Sequence, residues 1–525
     1  MKNKLYKAAA VMLISITSLS SCDKGFEEVN TDPINIKATT PDKLLAPVLV
    51  NSLTAGMQRN RNFNNELMQV TVSISDGDAT VFRYEFRRTF ADYLWNNWFI
   101  QTHNLKDMHA LASQPEMLNE SYQAISLICQ SWLFSNLSDT YGDIPYSESG
   151  QGKNNNVEPA FDKQKDIYLD IYKKLEEANT LLAKGTPIVA ASDPMFKGDV
   201  TKWRKFCNSL YLRLLLRASG KSDVSAANIA KIKEIVDTNP AKYPIIENNE
   251  ESATVRWSGE GGTGAYVSPY VNGVRVQDFR AASLGSFFID HLRDWGDPRL
   301  QTTAPYGTGG TGATNRWAIN QAPSGCYKGT PSGYAIGGAQ ERQSYFYSSD
   351  QTISSVALGA KSLQQSPLTG ILMNYAEVQF ILAEAAAKGW ISGSAETFYN
   401  QGITSSINYW VPPFPANATD PIVLKYIADA DIEWDNSLTL DGKMELIHLQ
   451  KYYALFLVDM QQWFEYRRTG HPVLPKGPGL RNGGVMPARM TYPVYVQSAN
   501  PTNYKTAVAN QGVDEIYTNV WWQKP

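Results

Sequence analysis

The sequence predicts a mostly α-helical fold: tetratricopeptide-like helix pairs carrying a loop-rich, glycine- and aromatic-rich part. Three observations predict it. Apolar residues recur every three or four positions on both sides of the chain's middle. Glycine and proline fall where each apolar run stops. The segment from 251 to 370 loses the period and holds 18 of the 37 glycines.

The elements follow in order. Lys2, Lys4 and Lys7 open the chain, and an apolar run of about nine residues, Ala8 to Ile16, is broken only by Ser15. That suits a signal-peptide core and falls far short of the ~20 residues a membrane helix needs. Leu19-Ser20-Ser21-Cys22 then resembles a bacterial lipobox. Residues 1–21 are therefore expected to be an export signal, and Cys22 to carry the lipid. Two or three acyl chains anchor stably where one chain, at ~0.8 kcal/mol per CH₂, holds only marginally. Residues 22–41 read as a polar tether.

From 42 to 250 the texture is helical. Tyr122, Ile125, Cys129, Trp132 and Asn136 set one stripe, with its helix expected to end near Leu137. Tyr168, Ile171, Leu175, Ala178 and Leu182 repeat it before Gly185 and Pro187. Trp203, Phe206, Leu210 and Leu214 follow up to Gly220, and Ile229, Ile232 and Val236 precede Pro240. Short connections make these helices antiparallel neighbours, although the W-x₂-L-G-x₂-Y consensus is not visible. The part from 251 to 370 reads as loops with short strands. From 371 to 525 helices return. Tyr375, Val378, Leu382 and Ala385 share a face closed by Gly389. Leu446, Leu449, Tyr453, Phe456, Met460 and Trp463 predict one continuous helix with Arg467 and Arg468 in its last turn and Gly470 beyond.

Composition excludes some functions. A net charge of −3 without a basic stripe argues against nucleic acid. Cys129, Cys207 and Cys326 are too few for a disulfide framework, and the first two sit on apolar faces. The 13 Trp and 28 Tyr outnumber 19 Phe, a balance that suits wet binding surfaces.

Catalytic motifs fail on context. Gly259, Gly261, Gly264 and Gly307, Gly309, Gly312 match G-x-G-x-x-G, but no helix follows either. Leu215 stands where a P-loop ending at Gly220-Lys221-Ser222 needs glycine. Asp429, Asp431, Glu433 and Asp435 alternate like a calcium loop, yet Trp434 and Leu440 replace its glycine and glutamate. The five histidines form no H-x-x-x-H pair, and no G-x-S-x-G elbow occurs. No metal, cofactor or catalytic residue is expected. A glycoside hydrolase stays open as the enzyme alternative, because the spacing of paired carboxylates is a property of the fold.

Several stretches, in this order, resemble the SusD/RagB group of outer-membrane nutrient-binding lipoproteins of Bacteroidetes. They are Phe26 to Pro33, Leu137-Ser138-Asp139-Thr140-Tyr141-Gly142-Asp143-Ile144-Pro145-Tyr146, Lys451 through Trp463 to Gly470, Arg489-Met490-Thr491-Tyr492-Pro493, and Val520-Trp521-Trp522. The resemblance implies one SusD-like domain over 22–525, a cell-surface lipoprotein on the outer membrane, and a SusC-like TonB-dependent transporter as partner. It also implies that the loop-rich part, 251–370, is the ligand-binding part, and that the protein captures oligosaccharides, or peptides in some branches, without catalysis. A pure interaction scaffold is the remaining alternative. The turn at Tyr141-Gly142-Asp143 and the segment Arg489 to Pro493 read as structural.

A sugar ring asks for flat aromatic faces beside hydrogen-bonding groups. The loop-rich part supplies Asn315, Arg316 and Trp317, then Tyr327, Tyr334, Glu341, Arg342 and Tyr345. Arg83 and Tyr84 are expected to close the site from the other side.

Overall fold

Helices form where the apolar period and the end signals agree. In the computed structural model, α1 (Pro41–Arg59), α2 (Asp92–Ala112), α3 (Glu120–Tyr141), α4 (Gln164–Leu182) and α5 (Val200–Arg217) pack in sequence order, each against the next or next but one. Asn119 caps α3 on the Tyr122 amide, and Asp199 caps α5 on the amides of Thr201 and Lys202. The short α6 (Ser225–Lys233) closes this half. The structure describes residues 39–77, 80–258, 266–300, 316–338, 340–351 and 362–524. The export segment, Cys22, both glycine motifs and Asn315 lie outside the described residues. No described helix is long and apolar enough to cross a membrane.

α3 runs one turn past the expected Leu137, to Tyr141, and stops at Gly142 with φ +88°. A side chain there would collide with Gln511, whose Oε1 accepts the Asp143 amide at 2.6 Å. The glycine is demanded by both conformation and space.

Short antiparallel strand pairs tie loops together in both the helical and the loop-rich parts. β1 (Thr71–Val72) pairs with β5 (Ser283–Leu284), β2 (Ile144–Pro145) with β3 (Phe161–Asp162), β4 (Ala253–Val255) with β8 (Gly370–Met373), and β6 (Ile319–Asn320) with β7 (Tyr345–Phe346). One helix the sequence reading missed, α7 (Ser286–Asp294), stands in the loop-rich part and buries Phe288, Ile289 and Leu292.

The second helical half comprises α8 (Tyr375–Ala387), α9 (Ala395–Trp410), α10 (Pro421–Asp429), α11 (Leu440–Ala454), α12 (Gln461–Thr469) and α13 (Pro501–Gln511). α8 packs on α9 and α11. Arg213 of α5 reaches Glu377 of α8 through two bonds of 2.6 Å, so a fully buried bidentate pair joins the two helical halves. Residues 41–525 form one compact unit.

The continuous helix expected from Leu446 to Trp463 is broken. α11 ends at Ala454 and α12 begins at Gln461, with Leu457 at φ +69° and Asp459 at φ +26° between them. The cause is a polar hub. The buried Asp459 carboxylate accepts from Trp132 Nε1 (3.2 Å), Asn136 (3.0 Å), Gln461 (2.9 Å) and the Met460 amide (2.6 Å). Its carbonyl accepts from Asn60 at 2.6 Å. A buried carboxylate without partners costs several kcal/mol, roughly the scale of several intrahelical bonds, so satisfying it outweighs the period.

Candidate ligand-binding site

The structure separates the sequence-predicted site residues. Trp317 is 0% exposed. Its indole stacks on Phe288 (5.7 Å), meets Trp410 and Phe456 edge-on, and lies under the Arg299 guanidinium at 5.1 Å. No ring face is left for a ligand, which corrects its expected role to a packing one. The neighbouring Arg316 is turned to the Trp410 carbonyl (2.8 Å). Tyr84 is buried too, in a left-handed turn whose carbonyl accepts the Tyr517 hydroxyl at 2.6 Å. Tyr327 joins the same core, and its carbonyl accepts from Arg293.

Two small groups do form. Arg83 and Tyr334 meet: the guanidinium donates to the Tyr334 carbonyl (2.8 Å) and to Asp76 (2.6 Å) and covers the Tyr334 ring at 4.8 Å. Both side chains are buried, so this pair ties loop to loop. Arg342 lies 3.9 Å over the Tyr345 ring and donates to the Arg280 carbonyl, with Glu341 exposed beside it. Tyr345 is itself buried.

Cavity size points elsewhere. Ligand sites usually measure about 300–1,000 Å³. A cavity beside Arg61, Glu66 and Asp278 has about 60 Å³, and an aromatic hollow at Trp95, Phe99 and Phe161 about 250 Å³. In the first, burial pushes Glu66 up to about 7. A cleft of about 730 Å³ opens where β4 leaves its pairing with β8, against the turn that precedes α5.

This cleft is built from local necessity. Trp257 follows β4 and is 4% exposed, its Nε1 donating to Thr369 Oγ1 at 3.1 Å. It rests on Gly370, where an added Cβ would lie 2.9 Å from the indole. Ser258 and Tyr266 close on each other, amide to carbonyl at 2.9 Å, and the half-buried Tyr266 side chain packs against the core while lining the cleft. Across from them, Asp193 organises the turn that carries Phe196 and Lys197, and Phe196 packs edge-on against Trp203 at 5.4 Å. Arg256 and Glu250 are exposed on the rim. Apolar walls, one accessible ring and charged groups around it are what a sugar ring requires. The sequence carried half of this signal: Trp257 and Tyr266 flank a glycine-rich loop. The 193–197 turn carried none, because its part depends on what folds against it.

A buried trio of Glu384, His448 and Glu465 has ligand atoms within 4.8 Å of one another. It does not fit a metal ion. Arg468 grips Glu384 (2.8 and 2.6 Å) and Glu465 (2.8 Å), Lys388 holds Glu384 (2.6 Å), and Lys451 holds Glu465 (2.7 Å). Burial alone would raise both carboxyl groups, but these cations hold them well below the usual range. The carboxylates are already compensated, so a further cation would meet positive neighbours.

The chain is similar over its length to known proteins. A SusD homologue from Bacteroides fragilis superposes with a TM-score of 0.74 at 23% identity, covering 93% of this chain and 100% of that one. A chitin-binding SusD homologue from Flavobacterium johnsoniae gives 0.72 at 20% identity, covering 92% and 98%. An outer-membrane protein from Bacteroides vulgatus, described as probably involved in nutrient binding, gives 0.71 at 23% identity, covering 93% and 100%. No curated protein matches the chain. The model of the SusD-like family, described as starch-binding and associating with the outer membrane, matches residues 33–493, and the chain belongs to that family.

Proposed function

We propose that this protein is a cell-surface lipoprotein, anchored through Cys22, that binds glycan segments and delivers them to a TonB-dependent transporter of the outer membrane. The observation that carries the binding step is the cleft of about 730 Å³, with the half-buried Tyr266 side chain beside charged rim groups. Membership of a family described as starch-binding, and the chitin-binding relative, support a sugar as ligand. The lipobox supports the anchor, and the SusC-like transporter follows from the family likeness. The protein acts by holding ligand, without a chemical step. Affinity for one site is expected near 1 mM, about −4 kcal/mol. Repeated units of a polymer raise the effective concentration and offset that weakness.

The test is calorimetric titration of the full chain in mild detergent against a panel of oligosaccharides. Wild type is expected to bind at least one saturably without releasing reducing ends. Tyr266→Ala is expected to lose at least about tenfold in affinity, the scale of one ring contact, while still unfolding cooperatively with a modest fall in melting temperature, because the ring also packs against the core. Equal binding by Tyr266→Ala, or sugar release by wild type, contradicts the reading.

A further inference from the structure

The basic groups of the cleft stand without ion-pair partners among the described residues. Among the described residues that line it, Lys197, Lys202 and Arg256 stand against one uncommitted carboxylate, Glu250. The other acid in the wall, Asp193, keeps its charge but is buried and turns both oxygens to its own turn, so it offers no cation of the cleft a partner. It accepts the amides of Met195 (3.0 Å), Phe196 (3.1 Å) and Gly198 (3.0 Å) and the Trp203 indole N–H (2.9 Å). Nearby acids are also engaged. Asp199 caps α5, and Glu247 and Glu251 are both drawn to Lys205, at 2.5 and 2.8 Å. Lys202 Nζ donates to the Glu250 main-chain carbonyl at 3.2 Å, a contact that leaves its charge uncompensated. None of the three cations makes an ion pair among the described residues.

Backbone conformation adds an independent observation. Lys197 sits at φ +53°, in the left-handed region that glycine occupies freely and a lysine does not. The four bonds to Asp193 over-determine the turn and hold it there. Strain of this kind, kept by the surrounding structure, collects at working sites. A lysine stands at the lip of the cleft where glycine would fit more easily.

We propose that the cleft takes acidic glycans, sugar chains bearing carboxylate or sulfate groups. Tyr266 holds a ring, and Lys197, Lys202 and Arg256 meet the anionic groups through charge-assisted hydrogen bonds. This rests on the cleft being the ligand site.

The experiment titrates the full chain in mild detergent with two matched pairs. Polygalacturonate is compared with its methyl ester, and dextran sulfate with dextran, so that carboxylate and sulfate are read separately. At about 50 mM salt at least one acidic member is expected to bind about tenfold more tightly than its neutral partner, and the advantage should shrink as salt rises. Lys197→Gly and Arg256→Gln should each weaken that binding about tenfold. Lys197→Gly should melt no lower than wild type, since glycine relieves the left-handed turn, so its loss of binding cannot be a folding failure. Equal binding of acidic and neutral partners, or acidic binding indifferent to both substitutions, overturns the proposal. In that case a weakened Tyr266→Ala would still leave the cleft as the site. If no polymer binds, the acidic preference falls, and the cleft reading is decided separately by the oligosaccharide panel and Tyr266→Ala.

Discussion

Burial decides what a truncation at Trp317 does. The indole fills the space between Phe288, Trp410 and Phe456 and is closed off by Arg299. Trp317→Ala is expected to destabilise the fold by ~3–5 kcal/mol, the usual range for emptying a buried aromatic site. Trp317→Phe should cost clearly less, because the indole N–H has no partner among the described residues and only volume is lost. Urea unfolding of both variants checks this. A melting profile unchanged in Trp317→Ala would show that the ring is not part of the core. At this scale the sequence was legible for residue type and not for direction. Asn-Arg-Trp at 315–317 has a sugar-binding composition, but the Trp317 ring faces inward because α7 brings Phe288 against it. The same ambiguity hid Tyr84, Tyr327 and Tyr345. Cys129 and Cys207, placed on apolar faces by their spacing, are indeed buried, since a helical period fixes which side a residue takes.

At the scale of elements, period and caps identified α3, α4, α5 and α8, and failed where buried polar groups override local preference. The break between α11 and α12 is the clearest case. Apolar spacing continues unbroken from Leu446 to Trp463, and only the convergence of Trp132, Asn136 and Asn60 on Asp459 explains the break. Just beyond α12, His471 ties the chain back to α11, its Nδ1 2.5 Å from Glu445 and its Nε2 3.1 Å from Asp441. The bond to Glu445 is the main reason its pKa lies above the ordinary value, with burial opposing it. The stacked His448, 6.3 Å away, is pushed the other way by burial. A raised folded pKa means that the His471 contribution to stability is fully present below about 6.5 and fades as pH rises through the folded value. The melting-temperature gap between wild type and His471→Gln should therefore be wide at pH 6 and narrow by pH 9. A gap independent of pH would remove the ion pair from the account.

Over the whole molecule, stretches far apart in sequence converge on one point. Asp139 accepts from Arg217 (2.6 Å), Tyr168 (2.6 Å) and the Trp522 indole (2.7 Å), and its carbonyl accepts from Arg467 at 2.7 Å. The Met490 amide donates to Thr140 at 2.8 Å and the Tyr492 hydroxyl to Asp143 at 2.6 Å. The stretches that carry the family resemblance after the tether are thus largely one buried knot. That is why the family and the fold were legible while the ligand site was not: the knot holds the scaffold, and the cleft lies at a different place, on residues outside those stretches. Anchor and binding cleft must act together at the cell surface, so the most direct test exposes intact cells to a fluorescently labelled glycan that the purified chain binds. Cells making the wild-type protein are expected to be decorated. Cells making Cys22→Ala in equal amount are expected to stay dark, because the protein is no longer held at the surface. Equal decoration of the two, or none on wild-type cells, would contradict the account.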